Sequence, residues 1–426
     1  MLSVRDAQQI ILEKVSPLDA ENAPLGLLLG RTLADDFRAR RALPPWDNSA
    51  MDGYAVRVLD VPRVPTVLPV IDQIAAGDSR SLTLPPGSAM RIFTGAPMPN
   101  GADAVVLQED TSLSASGVEI KDQPMMMQHI RRAGSDIAHG APVLPKGRML
   151  TPGDISLLAS QGCTAVSVVR RPRVAVMATG SELASPDQDM LARGQIVDGN
   201  TPALLAAVSD AGAIARQLPA TPDALDQTIG AIEAATRGVD VLLTTGGVSV
   251  GDHDHVRTAL RQLSGEDFGF WKVAIKPGKP IVFARIGRCL CFGLPGNPVS
   301  ALVTFEVFVR PALRRLAGLD AIFPRTISVP LSADIGPGGR RAEYRRCRLS
   351  RTASGLLAVP AMTQSSGALS SIAGQDGLMV IPTLHPARRA GESVEVIPLG
   401  RPPAIFLEDR SKLDYGHDLS EDISGP

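Results

Sequence analysis

Residues 239–256, VDVLLTTGGVSVGDHDHV, contain the pattern that decides the fold. A short apolar run, typical of a buried strand, leads directly into Gly246 and Gly247, and a helical pattern follows through Val256, Leu260 and Leu263. Glycines at the carboxyl end of a strand let backbone N–H groups approach an anion. The loop does not match G-x-G-x-x-G and lacks Gly-Lys-Ser/Thr, so it predicts neither a dinucleotide fingerprint nor a Walker loop. A tight glycine turn without a ligand is the alternative interpretation.

The same alternation of strand and helix extends over residues 173–318. Strand-like VAVMAT at 174–179 precedes a helical pattern at 202–211, and a second helical pattern at 222–237 precedes the strand of the glycine loop. Glycines follow both helical patterns, and glycine is the residue that most readily accepts the left-handed backbone at a helix end. This alternation predicts βαβ units around a mainly parallel sheet.

Two helices are predicted outside this region. Ser3, followed by Asp6 and by apolar residues at helical spacing, predicts a capped amphipathic helix at the N-terminus. Residues 151–154, Thr-Pro-Gly-Asp, supply a cap, a proline in the first turn and an acidic group. We expect this second helix beside the first.

The remaining segments read as β-structure and a tail. Short extended runs broken by Pro and Gly predict a β-rich insertion between about Leu43 and Leu144. After about Leu319, patterns such as EYRRCRL and GLMVIP predict a small C-terminal β-barrel or sandwich. The acidic residues from Asp409 onward include few large apolar side chains, which predicts a flexible tail.

The composition excludes several classes of protein. A chain of 426 residues, 44% of them hydrophobic, exceeds what one domain organises around a single core, so we expect three or four units. With 43 Lys and Arg against 44 Asp and Glu, the net charge of −1 excludes a general nucleic-acid binder.

Four scattered cysteines favour a reducing, cytoplasmic compartment. Arg5 and Asp6 interrupt any signal-peptide core, and no run of about 18 apolar residues occurs, so we expect no secretion and no membrane span.

A second glycine loop, GLPGNP at residues 293–298, follows two strand-like runs and precedes a helical pattern at 299–316. Asn297 could cap that helix with Pro298 in its first turn, which is the purely structural interpretation. Both glycine loops nevertheless come at strand ends of one predicted sheet. Because ligands of open α/β sheets bind at that edge, we expect a phosphate or ring-bearing ligand between the loops.

Between the two loops lies WKVAIKPGKP, residues 271–280. In an extended strand Lys272, Ala274 and Lys276 would share one face. The two ammonium groups would then lie about 13 Å apart along the chain, at ~3.3 Å per residue, and could hold an oxyanion and a phosphate. A solvated edge strand is the alternative, since lysines are common there.

Carboxylates at the same predicted edge could hold a metal. In the run Asp252-His253-Asp254-His255, Asp252 fits a helix cap and the histidines could face solvent. We favour Asp254 as the functional acid, binding Mg²⁺ through oxygen, with zinc as a minor alternative. Glu182 follows the strand VAVMAT, and Asp198 and Asn200 could join it.

Three further segments are unusual for spacers. In PPWDNSAMDGYA, residues 44–55, Asp52-Gly53 alone would predict only a turn. RIFTGAPMP at 91–99 suggests a rigid loop. The arginines of residues 340–348 form a local basic patch, with Arg346 and Arg348 on one strand face and Arg345 on the other. Part of this patch could bind phosphate and part could be solvated.

Seven stretches of the sequence together resemble the molybdopterin molybdenumtransferase family, relatives of the gephyrin E domain. The stretches are PPWDNSAMDGYAV, RIFTGAPMPNGADAVVLQED, TTGGVSVGDHDHV, WKVAIKPGKPIVFARIG, GLPGNPVSA, RAEYRRCRL and GALSSIAG. The resemblance runs from about Ser3 to Leu399. It implies the insertion of molybdenum from molybdate into adenylylated molybdopterin with release of AMP, assisted by Mg²⁺. It also implies a homodimer, with molybdopterin adenylyltransferase and molybdoenzyme chaperones as partners.

The fold that the resemblance implies is multidomain, α/β plus β. A molybdopterin-binding α/β domain is combined with a β-rich insertion domain, a split helical domain and a C-terminal β-barrel. The corresponding ranges are 1–42 and 138–170 for the split helical domain, 43–137 for the β-rich insertion domain, 171–318 for the α/β domain, 319–400 for the barrel and 401–426 for the flexible tail.

Matching the family motifs residue by residue implies a set of site residues. Lysines would neutralise molybdate beside a dithiolene and a phosphate, and carboxylates would hold the metal that polarises the phosphoanhydride. The implied catalytic residues are Asp52, Thr94, Glu182, Asp254, Lys272 and Lys276, with Glu182 and Asp254 as the metal ligands. The implied substrate-binding residues are Gly246, Gly247, Ser249, Gly251, Asp252, Lys279, Pro295, Gly296, Asn297, Arg345 and Ser366.

Two positions and one stretch depart from the family pattern. Ser135 stands where glutamate is usual and Gly199 where serine is usual. Residues 216–223 look shortened, with Asp223 in place of an acidic turn. These departures predict weaker molybdate or metal binding. Two other functions stay open: molybdopterin adenylylation, since adenylyltransferases share the TTGG-type domain, and a non-catalytic scaffold of the gephyrin type.

Overall fold

The computed structural model describes residues 1–221, 224–248, 255–353 and 355–399. The chain forms two compact units. The first unit comprises residues 1–23, 27–34 and the described residues from Ser167 onward, and the second comprises residues 24–26 and 35–166.

Helices occupy a minor part of the described chain. None of those within the described ranges is long and apolar enough to cross a membrane. The helices are α1 (Val4–Glu13), α2 (Pro152–Ser160), α3 (Asn200–Asp210), α4 (Leu225–Ala235), α5 (His255–Ser264), α6 (Pro298–Thr304) and α7 (Arg310–Leu316), with a π-helical turn (Phe305–Val309) joining the last two.

Strands occur along the whole described chain. They are β1 (Ala20–Pro24), β2 (Phe37–Arg38), β3 (Asn48–Ser49), β4 (Gly53–Val56), β5 (Thr66–Leu68), β6 (Val70–Ile74), β7 (Ala89–Ile92), β8 (Ala104–Leu107), β9 (Thr111–Ser114), β10 (Gly117–Ile120), β11 (Ile130–Arg131), β12 (Pro142–Leu144), β13 (Ala165–Val169), β14 (Arg173–Ala178), β15 (Leu183–Ala184), β16 (Ile196–Val197), β17 (Ile214–Gln217), β18 (Val241–Thr245), β19 (Phe268–Trp271), β20 (Ile275–Lys276), β21 (Val282–Ile286), β22 (Cys289–Leu294), β23 (Ile327–Pro330), β24 (Ala342–Thr352), β25 (Gly355–Pro360), β26 (Gly377–Ile381) and β27 (Ser393–Pro398).

The central sheet of the first unit has the order β17-β14-β18-β22-β21-β19. The pairs from β17 to β22 are parallel, and β21 and β19 add antiparallel strands at one edge. The mainly parallel sheet predicted from strand and helix alternation is therefore confirmed. Thr245 lies opposite both Ala178 and Leu294, so the loops that follow three of these strands start side by side.

Helices cover both faces of this sheet because its strands are apolar on both sides. Leu243 belongs to a core that also contains side chains of α1, α3, α6 and α7, while its neighbour Leu242 belongs to a second core shared with α4 and α5. This alternation follows from the two-residue period of a strand. The result is a layered α/β arrangement that leaves the strand ends as the accessible edges.

The N-terminal helix α1 is capped as its sequence predicts. The Ser3 hydroxyl accepts a hydrogen bond from the Asp6 amide at 3.1 Å, and the Asp6 carboxylate accepts one from the Ser3 amide at 3.4 Å. Ala7 and Ile11 pack in the core of the central sheet. The other predicted helix, α2, is part of the second unit. The expectation that the two helices pair as a split helical domain stays a prediction.

A second sheet of the first unit has the order β20-β24-β26-β27-β23, with β25 paired to β24. Its core contains apolar side chains such as Val329, Leu349, Met379 and Val396. Strands after residue 319 were predicted and are present. Whether they close into a barrel stays a prediction.

The expected extended strand over residues 272–276 is wrong. Strand β19 ends at Trp271, and Lys272 has a left-handed backbone with φ +77°. A new strand, β20, begins at Ile275 and pairs in parallel with β24 of the second sheet. Lys272 and Lys276 therefore do not share one face of a single strand, because the chain leaves the central sheet between them.

The second unit is rich in strands, as the short extended runs predict. It contains a sheet of order β6-β7-β4-β8 and another of order β5-β10-β9. Their buried faces form two apolar cores, one around Tyr54 and Val106 and the other around Ile74 and Ile92.

Candidate functional site

A pocket of about 600 Å³ opens at the carboxyl ends of β14, β18 and β22. Both glycine loops predicted from the sequence line it, and their convergence is thereby confirmed. The lining residues include Thr179, Gly180, Glu182, Asp198, Asn200, Gly246, Gly247, Pro295, Gly296, Asn297 and Leu369. We call this cavity the carboxyl-end pocket.

Positions 246 and 247 require glycine, because both have a left-handed backbone and both have close neighbours where a side chain would lie. Their φ angles are +92° and +63°. A Cβ on Gly246 would lie 2.5 Å from the carbonyl oxygen of Thr179, and one on Gly247 would lie 2.8 Å from the Val256 side chain. Any other residue would clash with Thr179 or Val256, so the first glycine loop needs glycine at both positions to pack against these neighbours.

Asn200 joins the two glycine loops. Its Nδ2 donates hydrogen bonds to the Thr245 hydroxyl at 2.9 Å and to the Gly296 carbonyl at 2.7 Å. The sequence suggested only that Asn200 could join Glu182 at this edge. The structure shows that it holds the loops that form the floor of the carboxyl-end pocket.

Asp198 has a structural task within the same pocket. Its carboxylate accepts hydrogen bonds from the backbone amides of Asn200 and Thr201, each at 3.0 Å, at the start of α3. Free amides at a helix start favour an acceptor of this kind. A Cβ added at Gly199, next to Asp198, would meet no atom within 4 Å.

Glu182 is an exposed carboxylate at the pocket wall. It folds over Gly180, where a Cβ would lie 2.5 Å from one carboxylate oxygen. Within the described ranges, no group of three or more His, Cys, Asp and Glu side chains could hold a metal ion. The other predicted metal ligand, Asp254, lies outside those ranges.

Asn297 begins α6 with Pro298 in the first turn, as predicted. Asn297 takes the N-cap position, although its side chain makes no capping hydrogen bond within the described residues. Instead, its Nδ2 donates to the Ser366 hydroxyl at 3.0 Å. This bond connects the second glycine loop to a loop that follows β25 in the second sheet, and it brings together two residues predicted separately as substrate-binding.

Lys276 and Arg345 share a buried carboxylate. Lys276 Nζ lies 3.3 Å from Glu343 Oε1, and Arg345 Nε donates to Glu343 Oε2 at 2.9 Å. Burial alone would raise the pKa of Glu343, but the Arg345 hydrogen bond and the charges of Arg345 and Lys276 outweigh it and lower the pKa. Glu343 is thus an ionised anchor for two cations. The Lys276 side chain is half exposed, so its ammonium group can still meet a ligand.

Arg346 was expected in a basic patch that binds phosphate or is solvated. It is only 1% exposed, and its Nη2 donates to the carbonyls of Thr363 and Ser365 at 3.3 and 3.1 Å and to the Ser371 hydroxyl at 2.9 Å. Arg346 therefore holds the loop that carries Ser366. Sequence alternation could not reveal this role, because the loop that covers Arg346 lies about twenty residues further along the chain.

Lys272 and Lys279 lie where the chain passes between the two sheets. The Lys272 amide donates to Ile281 at 3.3 Å, and the Lys279 carbonyl accepts from Val273 at 3.1 Å. Lys272 is half-buried and Lys279 is exposed. Neither side chain shares the Glu343 anchor with Lys276.

Asp52 and Thr94 form a pair in the second unit. The Asp52 carboxylate accepts hydrogen bonds from the Thr94 amide at 2.7 Å and from its hydroxyl at 2.8 Å. These two bonds lower the pKa of Asp52. Nearby, the Arg91 guanidinium lies 4.9 Å from the Tyr54 ring centroid and 5.2 Å from that of Phe93.

Several predicted residues lie outside the described ranges. They are Ser249, Gly251, Asp252, His253, Asp254 and Asp223, together with the predicted tail, residues 401–426.

Comparison with known proteins accounts for nearly the whole chain. Residues 2–162 match the MoeA N-terminal region (domain I and II), residues 175–315 a probable molybdopterin binding domain, and residues 328–399 the MoeA C-terminal region (domain IV). The chain is 39% identical to molybdopterin molybdenumtransferase 2 of Mycobacterium tuberculosis, covering 93% of this chain and 99% of the relative. It is 38% identical to the molybdopterin molybdenumtransferase of a Nostoc species, covering 94% of each.

Solved structures agree with these sequence matches. Two crystal structures of the molybdopterin biosynthesis protein MoeA from Pyrococcus horikoshii superpose with a TM-score of 0.81. Their sequence identities to this chain are 31% and 28%, and they cover 93% and 94% of it.

Proposed function

The chain belongs to the molybdopterin molybdenumtransferase family, and from this premise we propose that it inserts molybdenum from molybdate into adenylylated molybdopterin with release of AMP. One observation carries the proposal furthest. The two glycine loops meet in a pocket of about 600 Å³ at the carboxyl edge of the sheet, within the size range of small-molecule sites. Gly246, Gly247 and Gly296 line it, and glycines let the phosphates of a nucleotide-bearing pterin approach the main chain closely.

The pocket residues bind and orient the adenylylated substrate. Gly246 and Gly247 admit its phosphates close to the backbone, and Asn200 keeps both loops at a fixed separation. Positioning of this kind lowers the activation barrier of the reaction, because the reactants lose their translational and rotational entropy on binding and not in the chemical step.

Lys276 is the proposed molybdate-binding cation. Its half-exposed ammonium group is tethered to Glu343, which also holds Arg345. Two cations on one carboxylate leave a net positive charge, which attracts a doubly negative oxyanion. The hydrogen bond between Asn297 and Ser366 connects the second sheet to the carboxyl-end pocket, and it fixes the orientation of these two proposed substrate-binding side chains.

Mg²⁺ is the proposed metal, and part of its donor set is present. Glu182 is an exposed carboxylate on the pocket wall, of the oxygen chemistry that Mg²⁺ prefers. Asp254, at the end of the first glycine loop, would be its partner. Bound there, Mg²⁺ would polarise the phosphoanhydride whose cleavage releases AMP.

Asp52 and Thr94 are proposed as further active-site residues of the second unit. Their hydrogen bonds keep the Asp52 carboxylate ionised and oriented. Assembly as a homodimer, a cytoplasmic location, and contacts with molybdopterin adenylyltransferase and molybdoenzyme chaperones are proposed from the family resemblance.

The test is AMP release by the purified protein given adenylylated molybdopterin, Mg²⁺ and molybdate. Lys276→Ala and Asp254→Asn should abolish the molybdate-dependent part, while Lys121→Ala, at an exposed lysine of the second unit, should leave it unchanged. Equal rates with and without molybdate would refute insertion. AMP transfer from ATP to molybdopterin would instead establish adenylylation.

A further inference from the structure

A second cavity lies at the opposite end of the central strands. It has a volume of about 240 Å³ and lies where β14 begins at Arg173 and β17 begins at Ile214. Arg31, Arg170, Arg171 and Arg173 line it. We call it the amino-end pocket. The four arginines come from two distant parts of the chain, so the fold assembles the group.

Arg31 is built into this pocket. It is only 7% exposed, and its Nη2 donates to the Val169 carbonyl at 3.0 Å and to the Glu21 carboxylate. Its buried Nε has no hydrogen-bond partner within the described part of the chain. A buried guanidinium with an unused donor is costly unless something compensates it.

Arg170 is held rigidly on the same wall. Its two terminal nitrogens donate to the two carboxylate oxygens of Asp240 at 2.8 and 2.7 Å. Asp240 also accepts the backbone amide of Arg173 at 2.8 Å. The bond to Asp240, with weaker contributions from the charges of Asp19 and Glu21, raises the pKa of Arg170.

Arg171 and Arg173 are the other two cationic side chains of the amino-end pocket. Both are exposed, and neither side chain makes an ion pair with the described residues. The nearby carboxylates of Asp19, Glu21 and Asp240 balance at most three of the four guanidinium groups. The pocket therefore combines two fixed cations with two that can turn toward a ligand.

We propose that the amino-end pocket binds a small tetrahedral oxyanion carrying two or more negative charges, of the phosphate type. Guanidinium forks match such oxygens with paired hydrogen bonds. The volume is below the range of about 300–1,000 Å³ typical of sites for larger ligands, which favours a phosphate or diphosphate over a nucleotide. This site is independent of the proposed reaction at the carboxyl-end pocket.

The experiment is calorimetric titration of the full chain with inorganic phosphate, and separately with diphosphate and molybdate. An Arg171→Gln/Arg173→Gln double variant should bind phosphate at least roughly tenfold more weakly, because the loss of charged hydrogen bonds has that size. Lys276→Ala should retain this binding, which separates it from an anion held at the carboxyl-end pocket.

The matched control is Arg237→Gln/Arg325→Gln, which removes the same charge from exposed positions elsewhere in the first unit. It should bind phosphate like the unaltered chain. An equal loss in both double variants, or unchanged affinity in the Arg171→Gln/Arg173→Gln protein, would overturn the proposal. The proposal would also be overturned if acetate bound with the same affinity as phosphate, since equal affinities would indicate a non-specific basic surface.

Discussion

Asn297 Nδ2 donates a hydrogen bond to the Ser366 hydroxyl over 3.0 Å, across 69 positions of sequence. The bond ties the start of α6 to a loop of the second sheet. It joins Asn297, which lines the carboxyl-end pocket, to a residue of the second sheet's loop.

Breaking this bond should weaken substrate binding without unfolding the protein. Asn297→Ala and Ser366→Ala should each raise KM for the adenylylated substrate about fivefold, since one hydrogen bond is worth ~1 kcal/mol. The double variant should show no larger effect than either single variant, because both remove the same bond. If the KM increase of the double variant were instead the product of the two single increases, the two residues would act separately.

Gly246→Ala should destabilise the first unit. The new Cβ would lie 2.5 Å from the Thr179 carbonyl oxygen at a residue with φ +92°. We expect a loss of roughly 3 kcal/mol in the free energy of unfolding, from strain and contact together. Gly212→Ala is the control, since Gly212 also has a positive φ but has open space around it. It should cost only about 1 kcal/mol. If urea unfolding showed the same loss of stability in Gly246→Ala and Gly212→Ala, the clash with Thr179 would not be the cause.

Arg346→Met should loosen the loop that carries Ser366. The carbonyls of Thr363 and Ser365 and the buried Ser371 hydroxyl would lose their donor. We expect the free energy of unfolding to fall by about 2 kcal/mol. Arg348→Met, at an exposed arginine of the same strand, should change it by less than about 0.5 kcal/mol. The rate of hydrogen exchange at the loop amides should rise only in the Arg346→Met variant. An unchanged rate in that variant would contradict the idea that Arg346 holds the loop.

Glu343→Gln should destabilise the protein at neutral pH. The change leaves Arg345 and Lys276 without their shared anion, at a cost of about 2 kcal/mol. The pKa of Glu343 is lowered on folding, so its stabilising contribution is full above the unfolded value and is lost as pH falls through the folded value. The stability gap between Glu343→Gln and the unaltered chain should therefore shrink as the solution becomes more acidic than pH 4.5. A gap independent of pH would rule out ionised Glu343 as its source.

Thr94→Val should raise the pKa of Asp52, because it removes the hydroxyl donor and leaves only the Thr94 amide. The lowered pKa of Asp52 means that its contribution to stability is present above the unfolded value and disappears as pH falls through the folded value. Carbon-13 NMR titration of labelled aspartate measures the shift. Thr83→Val, at an exposed threonine of the same unit, should leave the Asp52 titration unchanged.

Much of the α/β unit could be predicted from the sequence. The alternation of strand and helix over residues 173–318 marks elements whose periods are local properties of the chain, and two apolar runs ending in glycines marked the pocket edge. The motifs carried by the family resemblance named Lys276, Arg345, Asn297 and Ser366 as site residues. Their placement as a set stays a prediction, although Asn297 bonds to Ser366, and Lys276 and Arg345 both pair with Glu343.

Local sequence by itself determined the glycine loops and the parallel strands, because backbone freedom and hydrophobic period act over a few neighbouring residues. Only the tertiary structure decided that Lys276 leaves the central sheet to pair with β24, that the Asn297 side chain bonds to Ser366, and that Arg346 is buried under a loop. Each of these depends on which distant segments pack together. Lys276 meets Glu343 across 67 positions, and no pattern within one element carries that information.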